Sequence, residues 1–328
     1  MAVRAADRLQ MNARVPRRMG APRTASEIRD VNTRYHDAAA AEYDSKWGID
    51  FGPVGRAQVV TKLRKALGER PAPFERSLEI GAGTGYFTLN LMQAGIVRRA
   101  ACSDISPGML AVLQGNARRL GLDVAAVTGD AEQLPLADAS FDLVFGHAVL
   151  HHLPDLPRAF AEFHRVLRPG GMLVFAGEPS RYGDRLAQVP KRTATVVAPL
   201  WRRVLGARDA AHVPDAAGGR NGNSAGGDHG MEFAVDVHSF SPGELRSLAS
   251  GAGFEAVRVS GEELLASWFG WANRTLEGTT SAGELPRLWI QYAHRGYLAL
   301  QEVDRRLLEG RLPPEVFYNL MLAARRPD

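Results

Sequence analysis

Between Leu78 and Ala176 the chain alternates short apolar runs with amphipathic helical segments, and this alternation constrains the fold more than any other feature. Leu78-Glu79-Ile80 stops at glycines, and a helix through Phe87 and Leu91 ends at Gly95. Residues 99–103 stop at Asp104, and the helix that follows has Ser106 as cap, Pro107 in first position and Gly121 at its end. Residues 124–127 stop at Gly129-Asp130, and residues 141–145 lead into a helix bearing Phe160, Phe163 and Leu167. Arg168-Pro169-Gly170-Gly171 then turns into residues 172–176. Five βα units in series require a parallel sheet with right-handed crossovers and helices on both faces. The expected fold is therefore α/β, Rossmann-like and doubly wound.

Helices are expected on the N-terminal side of this core. From Ser26, Tyr35, Ala39 and Tyr43 recur on one helical face, and residues 58–67 form a second helix with Lys62 and Lys65 on its wet side. Two insertions follow the core. Residues 181–236 hold an apolar-basic part, helical at least after Pro199, and a loop over 206–230 whose seven glycines and scarce aliphatic side chains cannot make a core. Ser241-Pro242-Gly243-Glu244 is a capping box that starts a helix, and residues 254–259 are a strand. Residues 262–313 read as a mainly helical cap, and residues 316–323 as the last strand.

Residues 1–25 read as a disordered Arg-rich arm and 26–328 as one domain. Six Arg and one Asp in the first 23 residues give that arm +5 of the chain's +4, so the remaining residues carry −1. The basic balance therefore belongs to the arm, and the near-neutral body argues against nucleic acid as partner. One cysteine, Cys102, allows no intramolecular disulfide and points to a reducing, cytoplasmic setting. Apolar runs fall far short of the roughly 20 residues that cross a bilayer, so no membrane insertion is expected. The sequence leaves a homodimer open.

Three strand ends carry polar groups to one sheet edge, where ligands bind in open α/β folds. Glu79-Ile80-Gly81-Ala82-Gly83-Thr84-Gly85 lets the backbone turn and admits a ligand to the N–H groups of the next helix. Asp104 suits ribose hydroxyls, and Asp130, followed by Ala131, suits an adenine amino group. A nicotinamide-binding loop wants a small residue where Tyr86 stands, which disfavours that alternative. Cytosine-type chemistry would want a cysteine after the fourth strand, where Gly146-His147-Ala148-Val149 stands.

These pieces, with Ser103-Asp104-Ile105-Ser106-Pro107-Gly108-Met109-Leu110, Leu150-His151-His152-Leu153-Pro154-Asp155 and Val166-Leu167-Arg168-Pro169-Gly170-Gly171 in the same order, resemble the class I S-adenosylmethionine-dependent methyltransferases. The closest likeness is to their small-molecule, ubiquinone/menaquinone-type branch, and it covers about residues 35–180. It implies seven strands, the last one antiparallel, with S-adenosyl-L-methionine as cofactor and a small-molecule acceptor. By resemblance Gly81 and Gly83 pass under the methionyl part, Asp104 holds the ribose, and Met109, Asp130 and Ala131 lie at the adenine, with Glu79, Ala82, Gly85 and Ile105 also in the cofactor site. The His147 main chain approaches the methionyl amine, and Tyr35 and Tyr43 close over the methyl end. A non-catalytic cofactor-binding assembly factor would keep the same residues.

His151, His152 and Glu178, after the fourth and fifth strands, are the candidates for a catalytic base. No His, Cys or acidic residues stand at zinc spacing, so no metal is expected. All five tryptophans lie outside the cofactor motifs: Trp47, Trp201, Trp268, Trp271 and Trp289. With Tyr292 and Tyr297 they suggest a bulky apolar or aromatic acceptor under the cap.

Overall fold

The computed structural model describes residues 24–44, 48–68, 73–207, 236–280 and 285–328. The Arg-rich arm, Trp47 and most of the glycine-rich loop lie outside the described residues.

A seven-stranded sheet with order β3-β2-β1-β4-β5-β7-β6 forms the centre. Its strands are β1 (Phe74–Ile80), β2 (Val97–Asp104), β3 (Ala125–Thr128), β4 (Phe141–His147), β5 (Leu167–Pro179), β6 (Glu255–Glu262) and β7 (Asn319–Arg325). The first five pair in parallel, and β7 runs antiparallel between β5 and β6. This is the expected architecture, antiparallel last strand included. Alternation along the strands fills both faces: Leu78, Ile80, Val144 and Phe175 join one apolar cluster, and Leu143, Phe145 and Val174 join the other.

Helices α1 (Ala25–Ala39), α2 (Pro53–Leu67), α3 (Tyr86–Gln93), α4 (Pro107–Leu120) and α5 (Leu156–Val166) cover the parallel half. Ser106 Oγ accepts the Met109 N–H and Gly121 closes α4 in the left-handed region, as the sequence dictates. Helix α2 begins at Pro53, five residues before its expected start, because proline already has the φ of a first helical turn.

The first insertion differs more. Helix α6 (Arg181–Leu205) is continuous through Pro190 and Pro199, so the helix expected at least after Pro199 extends back to Arg181. Ser180 Oγ caps the Gly183 N–H, and small buried residues Ala187, Ala194 and Ala198 seat one face of α6 on α8 (Leu265–Glu277). Packing thus offsets two lost backbone donors. Helix α7 (Pro242–Gly251) has the expected capping box, and α9 (Arg287–Val303) completes the cap over α8. β7 begins at Asn319 rather than 316, because residues 314–316 make a 3-10 turn after Pro313.

Cys102 is fully buried on β2, and burial pushes its thiol far above its usual range. Gly183 lets α6 meet the chain just before β7: a Cβ there would stand 1.9 Å from the Phe317 carbonyl oxygen. Gly183→Ala should therefore lower stability by about 1–3 kcal/mol, read as a drop in Tm by thermal denaturation.

Candidate functional site

The carboxyl ends of β1, β2 and β4 open into a cavity of about 780 Å³, within the usual range for organic ligands. Its floor is the glycine turn after β1. Gly81 and Gly83 both have positive φ (63° and 51°), and a Cβ on Gly81 would meet Val149 Cγ2 at 2.5 Å. Any side chain at that position would collide with Val149, so the turn requires glycine there.

Asp104, buried at the end of β2, ties the two rims together. Its Oδ2 accepts the Gly83 N–H (2.8 Å) and its Oδ1 the Ser106 N–H (2.9 Å). Burial pushes its carboxyl pKa up, and those two N–H groups oppose the shift. Asp130 meets Arg29 Nε at 2.7 Å, and Arg29 also pairs with the buried Glu132. Asp37 accepts from Ser106 Oγ and the Gly108 N–H, so α1 is fastened on both sides of this end of the cavity.

Tyr35, Tyr43, Gly81, Gly83, Asp104, Ile105, Met109, Asp130, Ala131, His147, His151 and His152 all line the cavity. Burial, with Asp104 beside it, pushes the Tyr43 hydroxyl up to about 12. Glu79, Ala82, Gly85 and Glu178 stand behind the wall instead. Glu79 is buried under the glycine turn, accepts the Thr88 N–H (3.0 Å) and is pushed up to about 8 by burial. Ala82 donates its N–H to Ser103 O, and Gly85 is the left-handed cap of α3.

Glu178 is a hub rather than an open base. A register shift in β5 at Gly177 (φ 72°) turns the Glu178 side chain under the turn that follows β4. Its Oε1 accepts the Val149 and Leu150 N–H groups (3.0 Å each), and its Oε2 accepts the His151 N–H (3.2 Å). His151 Nδ1 lies 2.9 Å from Oε2, so Nδ1 carries the proton and the neutral ring presents an Nε2 lone pair. Burial works against the His151 cation, but the Glu178 hydrogen bond and charge, aided by Asp236, outweigh it and raise the pKa. Asp236 Oδ1 lies 3.6 Å from His151 Nε2 and 3.3 Å from His152 Nδ1. One ligand atom from each of the three falls within 4.8 Å of the others, a grouping with room for a cation.

A second set of residues was not legible in the sequence. Lys62 does not face water: its Nζ lies 2.7 Å from buried Glu262, 3.5 Å from Glu263 and 3.4 Å from His147 Nε2. Lys65 pairs with Glu309 and approaches Glu262. Glu263, in the left-handed region at φ 61°, also accepts from Tyr297 OH (2.7 Å) and Gln301 Nε2 (3.0 Å). Burial alone would raise the Glu263 pKa, but Lys62 and these donors bring it down to about 2. His147 stacks on Phe87 and is driven down to about 3 by burial and by Lys62. The basic helix face and its acidic partners lie about 200 residues apart in sequence, so no local pattern links them.

The cap half of the cavity mixes ring and polar surface. Trp271 and Tyr297 line it beside Ser267, Asn273, Arg274 and His294. Trp201 and Trp289 pack on each other (4.9 Å between centroids) away from it.

Residues 78–175 match the family model described as "Methyltransferase domain". A malonyl-[acyl-carrier protein] O-methyltransferase of Geobacter sulfurreducens is 31% identical over 235 residues, 72% of this chain and 73% of that protein. The chain belongs to the class I S-adenosylmethionine-dependent methyltransferases. That membership makes S-adenosylmethionine the cofactor, and a buried carboxylate with two glycines beside it at the sheet edge suits its adenosine and methionyl parts. The enzyme of the same name from Serratia marcescens is 37% identical over 145 residues, 41% of this chain, and the match spans about half of its length (54%). Among solved structures, a Haemonchus contortus phosphoethanolamine N-methyltransferase 2 shares the fold with a TM-score of 0.55 at 16% identity, covering 92% of this chain and 60% of that one.

Lys62→Met removes the one cation among the described residues that touches both Glu262 and Glu263, leaving Glu262 with Lys65 alone and Glu263 with no paired cation. A loss of about 3–5 kcal/mol in a urea titration is expected, against less than about 1 kcal/mol for a lysine on a wet helix face.

Proposed function

We propose that the chain transfers a methyl group from S-adenosylmethionine to an oxygen, nitrogen or carbon nucleophile of a small organic acceptor held under α8 and α9. The observation that carries this reading is a single cavity running from the Asp104–Gly83 contact to the Tyr297 and Trp271 wall. One end suits adenosine, and the other offers rings with polar groups between them. The acceptor is therefore amphiphilic, with an apolar or aromatic body against Trp271 and Tyr297 and a polar group near Arg274 and Asn273. This refines the bulky apolar acceptor that the tryptophans suggested, since of the four described tryptophans only Trp271 lines the cavity, and Trp201 and Trp289 pack on each other outside it.

The cofactor supplies a methyl group already activated on a sulfonium, which leaves as the neutral thioether once the acceptor's lone pair takes the methyl. The protein's share is alignment, which can supply on the order of 7–11 kcal/mol. Gly81 and Gly83 would admit the donor to main-chain distance, and Asp104 would hold it at the ribose. His151 is the proposed base. His151 lines the cavity, and its Nε2, 3.6 Å from Asp236 Oδ1, takes the acceptor's O–H or N–H proton while Glu178 holds Nδ1–H and stabilises the resulting cation. Glu178 is thus a positioning residue. Asp236 lies beside His151 and His152 and adds negative charge for the same cation.

Isothermal calorimetry with S-adenosylhomocysteine should show binding that Asp104→Asn weakens on the order of tenfold or more, the cost of a charged hydrogen-bond acceptor. Undiminished binding by that variant would refute the ribose assignment. Turnover is found by screening organic acceptors with methyl-labelled cofactor. With an acceptor in hand, His151→Gln should lower kcat by about 10²–10⁴ while leaving cofactor affinity unchanged. The base works neutral and its pKa is raised, so activity should rise with pH through an acid limb above 6.5. Glu178→Gln removes the carboxylate that does most to raise that pKa, leaving Asp236, and should shift the limb to lower pH.

A further inference from the structure

Helix α6 leaves an apolar stripe in water. At about 100° per residue, Leu186, Val189, Val196, Val197, Leu200 and Val204 fall within an arc of roughly 100°. All six are exposed, Val196 to 79%, Val204 to 77% and Leu200 to 66%. The face that packs on α8, with Ala187, Ala194 and Ala198, lies to one side of this stripe. On its other side run Arg185, Arg192 and Arg203, exposed and with no acidic partner among the described residues. Arg181 continues that rail and pairs with Glu244. Six large aliphatic groups in one exposed row exceed the scattered apolar surface of ordinary soluble proteins. Trp201 against Trp289 joins the far end of α6 to α9, where Leu288 and Ile290 are exposed as well.

We infer that α6 docks the protein on an anionic lipid surface, lying in the interface with its valine-leucine stripe among the acyl chains and its arginine rail on the headgroups. The charge pattern selects this occupant. An apolar strip bordered by arginines is the layout of a helix that lies flat on an acidic bilayer, and no helix among the described residues is long and apolar enough to cross one. The continuous course of α6 through Pro190 and Pro199 keeps the stripe in one line. The docking face also backs onto the acceptor end of the cavity: Lys191 of α6 sits with its Nζ 4.0 Å from the Trp271 ring centroid, and Trp271 lines the cavity. The inference rests on the proposed methyl transfer and narrows its acceptor to an amphiphile that partitions into membranes.

Co-sedimentation of the full chain with vesicles tests it. Phosphatidylcholine vesicles carrying roughly one-third phosphatidylglycerol should bind the protein, pure phosphatidylcholine should bind it at least about tenfold more weakly, and added salt should weaken the anionic case. The double variant Val196→Asp/Leu200→Asp should abolish binding. Arg192→Glu/Arg203→Glu should reduce it by about tenfold or more. All four positions face water, so the variants should keep the parent Tm and its affinity for S-adenosylhomocysteine. Wild-type protein that stays in the supernatant, or variants that sediment like wild type through another basic segment, would overturn the inference. So would a dimer in sedimentation velocity that Leu200→Asp dissolves, since a second copy would then be the occupant, or capture of an acidic carrier protein by the same face in preference to vesicles. Failure of the wild type to bind S-adenosylhomocysteine would instead strike the methyl-transfer reading and leave the vesicle result standing.

Discussion

The working edge of this molecule hangs on the four hydrogen bonds received by Glu178. A buried carboxylate needs several donors, and here they are three consecutive backbone N–H groups and one imidazole. That need fixes the turn after β4, and the turn in turn fixes much else. Val149, whose N–H is one of the four, packs against the Cα of Gly81 and so sets how far the glycine loop can move. Ala148 is held at a positive φ of 53° just before it, a conformation that alanine adopts only where the surroundings over-determine it. His151 receives its tautomer and its orientation from the same carboxylate. One bulge in β5 therefore couples the fifth strand, the floor of the cavity and the proposed base.

The cap is fastened differently. Its first residues meet the parallel half through largely buried charges: Lys62 and Lys65 on α2 face Glu262, Glu263 and Glu309, while Asp304 accepts the N–H groups of Leu265 and Ala266 where α8 begins. Buried ion pairs stabilise little relative to an apolar contact of the same size, but they tolerate few alternative arrangements. Such a joint sets the position of α8 and α9, and with it the shape of the acceptor half of the cavity.

Much of this was legible in the sequence because it is local. The end of β2 could be read from Asp104 followed by Ser106-Pro107, since a capping serine and a first-turn proline act over three residues. The succession of strands along the parallel half followed from glycines and aspartates at their ends. What escaped was set by contacts distant in sequence. Lys62 looked like a solvated lysine because helical periodicity ranks it by its own charge, and its partners follow two hundred residues later. Glu178 looked like an accessible base because the bulge at Gly177 that turns it inward leaves no signal beyond one glycine. Trp201 and Trp289 looked like pocket walls, yet each finds the other. The sequence places helix α6 firmly only after Pro199, because proline is a breaker by propensity, and the row of small residues against α8 shows packing overriding it upstream.

The single thiol has a practical side. Cys102 is sealed within β2 beneath the glycine turn, and burial holds it protonated, so it presents no nucleophile to the outside. The chain thus behaves toward alkylating probes as if it had no cysteine at all. A cysteine placed on any exposed position becomes its sole reactive handle, and a dye or spin label can be read there without first removing a native residue from the core.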